Sequence, residues 1–280
     1  MSNGFRLRLR AAAERPLDFP LDLAGVLPTA MAGRTAAEVA ASLIGCGNAR
    51  LALGECFDVE PVASEGPELR FEGDLSRCDR IGEAMDGGVL HVEGDAGDYL
   101  GSQMRGGELR VAGAAGAFAG CEMAGGLLEI AGNVGSFAGG ALPGSMDGMR
   151  GGVLVVHGHA DARVADRMRR GTLVVHGDVG DFAASRMVAG TLALGGRVGA
   201  HCGYGMRRGT LVFAADPADQ PSPPATFAPT GHDIRVIWAL LARSLAYHGG
   251  RFATLPARQP RRFVGDLGAD GKGEWLLPQA

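Results

Sequence analysis

Seven methionines stand at nearly constant spacing in this chain: Met85, Met104, Met123, Met149, Met168, Met187 and Met206. The steps are 19, 19, 26, 19, 19 and 19 residues, a single period broken once by a seven-residue insertion. A Gly follows every Met by three residues, and apolar residues follow it by five and seven. A second Gly comes at nine in the first six units. Self-similarity at a fixed period of this size marks a stacked repeat, in which each unit buries its apolar face only against its neighbours.

The unit itself selects the architecture. Gly171 to Gly177 is a short β run bounded by glycines with alternating apolar residues, and no unit holds ten residues of helical periodicity. The expectation is an all-β chain, a right-handed parallel β-helix with one 19-residue coil per unit. Equivalent positions then stack into ladders about 4.8 Å apart. One ladder is Leu90, Leu109, Leu128, Leu154, Leu173, Leu192 and Leu211; a second runs from Val92 to Phe213. Fourteen residues after each Met come Tyr99, Phe118, Phe137, Arg163, Phe182 and His201, an aromatic row with two exceptions that is expected inside with the Met and Leu rows. The motif Gly-x-x-Gly-x-x-x-Gly, as in Gly94, Gly97 and Gly101, recurs four times with no helix after it. It reads as turn geometry rather than as a phosphate cradle.

Four zones follow: a cap over 1–60, the repeats over 61–215, a Pro-rich linker over 216–230, and a closing helix and hairpin over 231–280. In the first, Thr35 to Glu38 makes a capping box before a helix over Val39 to Ile44. Leu51 to Gly54 and Leu69 to Gly73 read as degenerate first coils. In the last, a helix runs from Asp233 to Tyr247 with Ile234, Ile237, Trp238, Leu241 and Leu245 on one face. Strands around Gly271-Lys272-Gly273 then close a hairpin.

A net charge of −4 argues against nucleic acid as the main partner. Neither an apolar signal core at the start nor an 18-residue apolar run is present, and five widely spaced cysteines without Cys-x-x-Cys fit reduced thiols in a cytoplasm. Catalytic chemistry is thin. His157 and His176 occupy equivalent positions one coil apart, but no Cys, Asp or Glu recurs in register to complete a metal set. Asp95, Asp98, Asp178 and Asp181 lie in turns without the Asp pattern of calcium-binding β-rolls.

Outward positions are more telling. Early coils carry His91, Glu93, Glu108, Arg110 and Glu129 there, whereas later ones carry Val153, Val155, Val174 and Val212. A face that turns apolar needs a cover, either the C-terminal helix or another protein. A ridge of Arg150, Arg169, Arg170, Arg207 and Arg208 stacks like charges, which an internal carboxylate or an acidic partner would compensate. The candidate partner interface is therefore Val153, Val155, Arg169, Arg170, Val174, Arg207, Arg208 and Val212.

The coils resemble the C-terminal domain of glutamate synthase large subunits. A closer resemblance extends over the whole chain, carried by Leu21 to Pro28, Gly47 to Val59, the Met-x-x-Gly repeats, and Phe263 to Asp266 with Gly271 to Glu274. It is to the C subunits of formylmethanofuran dehydrogenase and to their counterpart in the bacterial formyltransferase/hydrolase complex. This resemblance implies a non-catalytic structural subunit in one-carbon metabolism. The complex would convert formyl-tetrahydromethanopterin to formate during formaldehyde oxidation by methylotrophs.

It further implies no cofactor on this chain. Tetrahydromethanopterin, a methanofuran-like carrier and metal would belong to partners: a formyltransferase, an amidohydrolase-like hydrolase and a degenerate molybdopterin-type subunit. Neither nucleic acid nor membrane is expected as a partner. Alternatives are a subunit of a redox-active tungsten or molybdenum formylmethanofuran dehydrogenase, a free-standing glutamate-synthase-type spacer, and a carbohydrate-active β-helix, which would need carboxylates clustered on adjacent coils.

Overall fold

A computed structural model of the chain describes residues 4–10 and 19–279. Residues 1–3, 11–18 and 280, which fall in the two terminal zones, lie outside the described residues. The chain is mostly sheet. The seven repeat strands are Val89–Val92, Glu108–Val111, Ala124–Ile130, Arg150–Val156, Arg170–Val175, Thr191–Leu194 and Thr210–Phe213. They lie side by side in sequence order within one 13-stranded sheet and pair parallel. A second parallel ladder of single bridges links Leu75, Ala96, Ala115, Val134, Ala160, Val179 and Val198. Each of the first six units thus adds one rung to two ladders at once.

The Met-x-x-Gly pairing has a packing cause. All seven methionines and all seven ladder leucines are fully buried. Gly107 adopts φ +83°, and a Cβ there would meet Met85 Cε and Gly88 O, each at 2.7 Å. The same holds along the row to Gly209, where Met187 Cε would be 3.0 Å away. The thioether of one coil fills the space left by the missing side chain of the next, so the two residues repeat together. The 26-residue step is absorbed locally: Met149 N–H donates to Gly139 O at 3.0 Å, closing the extra segment out of the stack.

The aromatic row is a correction. Tyr99, Phe118, Phe137 and Phe182 are only partly buried and His201 is exposed. These residues and Arg163 take φ between 60° and 67°. That turn points the side chain away from the coil. The inward place goes to the following residue, and Leu100, Ala119, Ala138, Val164, Ala183 and Cys202 are all buried. Outside, Tyr99 stacks on Phe118 at 5.0 Å and Phe118 on Phe137 at 5.1 Å. Arg163 then bridges Phe137 and Phe182, and Phe182 stacks on His201 at 4.7 Å. A continuous surface column results, with cation–π contacts where the rings stop.

The caps continue the sheet. Gly4–Leu9 pairs parallel with Glu68–Glu72, setting Phe5 beside Leu69 and Leu7 beside Phe71. Leu69 to Gly73 behaves as a first rung. Leu51 to Gly54 does not: Ala49–Ala52 pairs antiparallel with Leu43–Cys46 in a separate four-stranded sheet, and Leu53 starts a one-turn helix. The capping box at Thr35 is present, but its helix is Ala36–Ala40, and Ile44 lies in a strand. At the far end Gly273–Pro278 pairs parallel with Thr210–Phe213, and Trp275 caps the inner column 4.5 Å from Phe213. The Pro-rich segment packs on this end instead of swinging free. Phe227 is buried against Trp275, and Gln220 donates to Phe213 O, Ala215 O and Pro278 O.

Candidate functional site

One outward row of the sheet shows how the surface changes along the stack. It runs Arg6, Arg70, His91, Arg110, Glu129, Val155, Val174, Ala193, Val212 and Leu276. The first half is a polar lattice. Arg70 pairs with Glu93 at 3.2 Å, Arg110 with Glu108 and Glu129, and His157 with Glu129 at 2.8 Å. A shallow cleft opens there, lined by Arg70, His91, Arg110, Glu129 and His157 among others.

The second half is covered by the chain's own C-terminal segment, which corrects the expectation that its valines themselves meet a partner. Val155, Val174 and Val212 are buried, and Val153 packs partly buried beside them. They join Ala193, Ala214 and Leu276 in a second core closed by Trp238, Ala242, Leu245, Phe252 and Leu255. The cover consists of the helix Arg235–Ala246 and the 3-10 helix Gly250–Ala257. Two arginines tie it down. Arg251 donates to Gly195 O at 2.7 Å, and Arg258 donates to Ala214 O, Ala215 O, Pro278 O and Gln279 O. Trp238 Nε1 donates to Arg258 O at 2.6 Å, so the buried indole is satisfied.

The arginine ridge divides in two. Its first part is compensated internally: Arg150 faces Glu122 at 3.8 Å and Arg169 pairs with Asp147, while beside the ridge the buried Asp166 holds Arg186 at 2.8 Å. Arg170, Arg207 and Arg208 are exposed, and no ion pair to them occurs among the described residues. Arg207, Arg208 and Lys272 line one cleft with Asp270.

The titratable groups singled out in the sequence are spent on structure. Asp95, Asp98, Asp178 and Asp181 each accept a backbone N–H from the next coil, at 2.7 Å in all four cases. His159 does the same through Nδ1, which accepts from Asp178 N–H at 2.9 Å. His157 and His176 stack at 4.8 Å, and His176 meets Phe252 edge-on at 5.1 Å. Burial, then the neighbouring His157 and His248, pull the His176 pKa down. Burial pushes the Cys78 and Cys202 thiols up to about 12, away from nucleophilic use. Among the described residues no group of three or more His, Cys, Asp or Glu is placed to hold a metal ion. Among the same residues no helix is long and apolar enough to cross a membrane.

Two features lie beyond what strand alternation signals. The outward aromatic column is marked only by the small or apolar residue at the next position, which falls in a turn. The other is the outer side of the covering helix, where Val236, Ile237, Leu240 and Tyr247 are 76, 65, 65 and 91 % exposed.

No family model matches the chain. Over 96 residues it is 41 % identical to the C subunit of the formyltransferase/hydrolase complex Fhc of Methylorubrum extorquens, a match spanning 34 % of this chain and 33 % of that protein. The C subunit of the molybdenum-containing formylmethanofuran dehydrogenase 1 of Methanosarcina barkeri is 36 % identical over 87 residues, 30 % of this chain and 29 % of that one. Its counterpart in Methanothermobacter marburgensis is 33 % identical over 78 residues, 28 % and 20 %. These matches thus cover a third or less of each relative. Among solved structures, a chain of the formyltransferase/hydrolase complex FhcABCD from Methylorubrum extorquens, crystallised with methylofuran, superposes with a TM-score of 0.85 at 39 % identity. The match covers 98 % of this chain and 100 % of that one.

Proposed function

We infer that this chain, which belongs to the family of C subunits of formyltransferase/hydrolase and formylmethanofuran dehydrogenase complexes, is the non-catalytic scaffold of such a complex. The observation that carries this is the end-to-end match to a chain of the assembled bacterial complex. The fold reading that goes with it is a right-handed parallel β-helix. Its support is the pair of parallel ladders that advance together, one rung per repeat.

The scaffold role rests on what the chain's polar groups do. Carboxylates and His159 at the turns accept backbone hydrogen bonds, and most cysteines are buried. The hydroxyl–carboxylate pair Thr210–Glu274, at 2.7 Å and with Arg262 on the same carboxylate, ties neighbouring strands of the sheet together. We assign the formyl chemistry to partner subunits, a formyltransferase and an amidohydrolase-like hydrolase beside a degenerate molybdopterin-type subunit. With them would lie tetrahydromethanopterin, the furan-type carrier and metal. The reaction we assign to the whole is release of formate from formyl-tetrahydromethanopterin, in a cytoplasm that keeps these thiols reduced. Greater identity to the Methylorubrum sequence favours the hydrolytic complex over the redox-active dehydrogenase.

Affinity purification of the tagged chain from its native host checks this directly. Recovery of formyltransferase and hydrolase subunits, with formyl turnover in the assembly and none in the isolated chain, is the expected result. Metal-dependent turnover by the isolated chain overturns the scaffold role. Co-purification of iron–sulfur subunits moves the chain to the redox-active class.

A further inference from the structure

The helix Arg235–Ala246 is apolar on two opposite sides. Trp238, Ala242 and Leu245 face the stack and are buried. Val236, Leu240 and Tyr247 are spaced by four and seven residues, so they line up on the far side with Ile237 next to them. All four are exposed by 65 % or more. An apolar helix side is normally one that is covered, and here only one of the two apolar sides has a cover within the chain.

The polar residues on this face narrow the occupant. Arg235 is held by Asp233, with contacts of 2.8 to 3.1 Å. Arg243 falls between Leu240 and Tyr247 on the stripe, is exposed, and has no ion pair among the described residues. At the start of the stripe the exposed Asp233–Arg235 pair supplies a charged border. An apolar centre with an aromatic and an arginine, bordered by charged groups, has the anatomy of a protein–protein contact.

We propose that the outer face of this helix docks another subunit of the assembly, in an apolar groove that carries a carboxylate opposite Arg243. This rests on the scaffold reading above. A second copy of this chain fits less well. Packing two such stripes antiparallel about their midpoint would bring the two Arg243 side chains within about 10 Å of each other with nothing acidic between them. A lipid surface fits less well too, since a 12-residue helix with one free cation among the described residues lacks the basic flank that membrane-surface helices carry.

The experiment uses the full chain co-expressed with its partner subunits. Val236→Asp/Leu240→Asp and, separately, Arg243→Glu are compared with wild type for subunits retained on a tagged chain, and for Tm of the chain alone. Retention should fall at least tenfold in both variants with Tm unchanged, because these side chains stand mostly in solvent, while Leu240→Met should retain partners as wild type does. Normal retention in the Asp variant overturns the proposal. So does a chain that is dimeric alone and made monomeric by Leu240→Asp, or one that binds anionic vesicles through this stripe. A lowered Tm in either variant would place the stripe in the chain's own packing and overturn it as well. Failure of the wild-type chain to retain any partner is a different outcome: it removes the scaffold reading itself, and this proposal with it.

Discussion

At the scale of single residues, the repeat is held by what glycine lacks. Gly107 and Gly144 have nearly the same dihedral, φ +83° and +84°, but a Cβ on Gly144 would meet nothing within 4 Å. Gly144→Ala should therefore cost only the left-handed backbone penalty, about 1–2 kcal/mol. Gly107→Ala adds a collision with a carbonyl and a methionine methyl, so about 3 kcal/mol or more is expected. Thermal or denaturant melts of the two variants measure the difference, and equal melts would mean that the close approach of the coils carries no energy. The same reasoning makes Leu173, buried in the leucine ladder, intolerant of charge. Leu173→Asp should lose several kcal/mol, read as a collapse of the melt.

At the scale of elements, the aromatic column and the helix clamp behave differently. Phe118 has a stacked ring on each side but is open to solvent on its edge. Phe118→Ala should cost about 1–3 kcal/mol from two lost ring contacts, less than Leu109→Ala at about 2–5 kcal/mol. Equal costs would return the row to the core. The clamp is sensitive to pH through His176 beside Phe252, because its native pKa lies below the ordinary 6.5. A histidine depressed on folding is stabilising above its unfolded pKa. Below that pKa the unfolded chain takes up the proton and the native chain resists it. Stability should thus fall as pH drops from about 7 to 5.5, and His176→Gln should flatten that slope in melts across this window. His248, lowered mainly by burial, contributes with the same sign.

At the scale of the whole molecule, long-range coverage decides what remains exposed. The C-terminal segment seals the apolar face that Val155, Val174 and Val212 present. Trp238 is its largest buried side chain on that face, and Trp238→Ala should destabilise the chain by about 3–5 kcal/mol. Dye binding to newly exposed apolar surface should rise in step. A variant with unchanged melting and no dye uptake would separate the helix from the stability of the stack.

The period, the Met–Gly coupling and the inner leucine ladder were legible in the residues alone, because strand alternation sorts inside from outside within a few positions and a 19-residue repeat brings like residues together. That logic stops at the turns. A backbone at φ near 60° turns Phe118 outward and hands the inner place to Ala119, a reversal that no alternation rule contains. It also could not choose what covers the apolar half of the outer face. Val174 and Trp238 are far apart in the chain, and their contact depends on how the Pro-rich segment folds back over the end of the stack. Sequence determined that a cover was needed, since exposed valines in a row are unfavourable in water. Only the packing of the folded chain decided that the helix provides it, and so moved the unpartnered apolar surface outward to Val236, Leu240 and Tyr247.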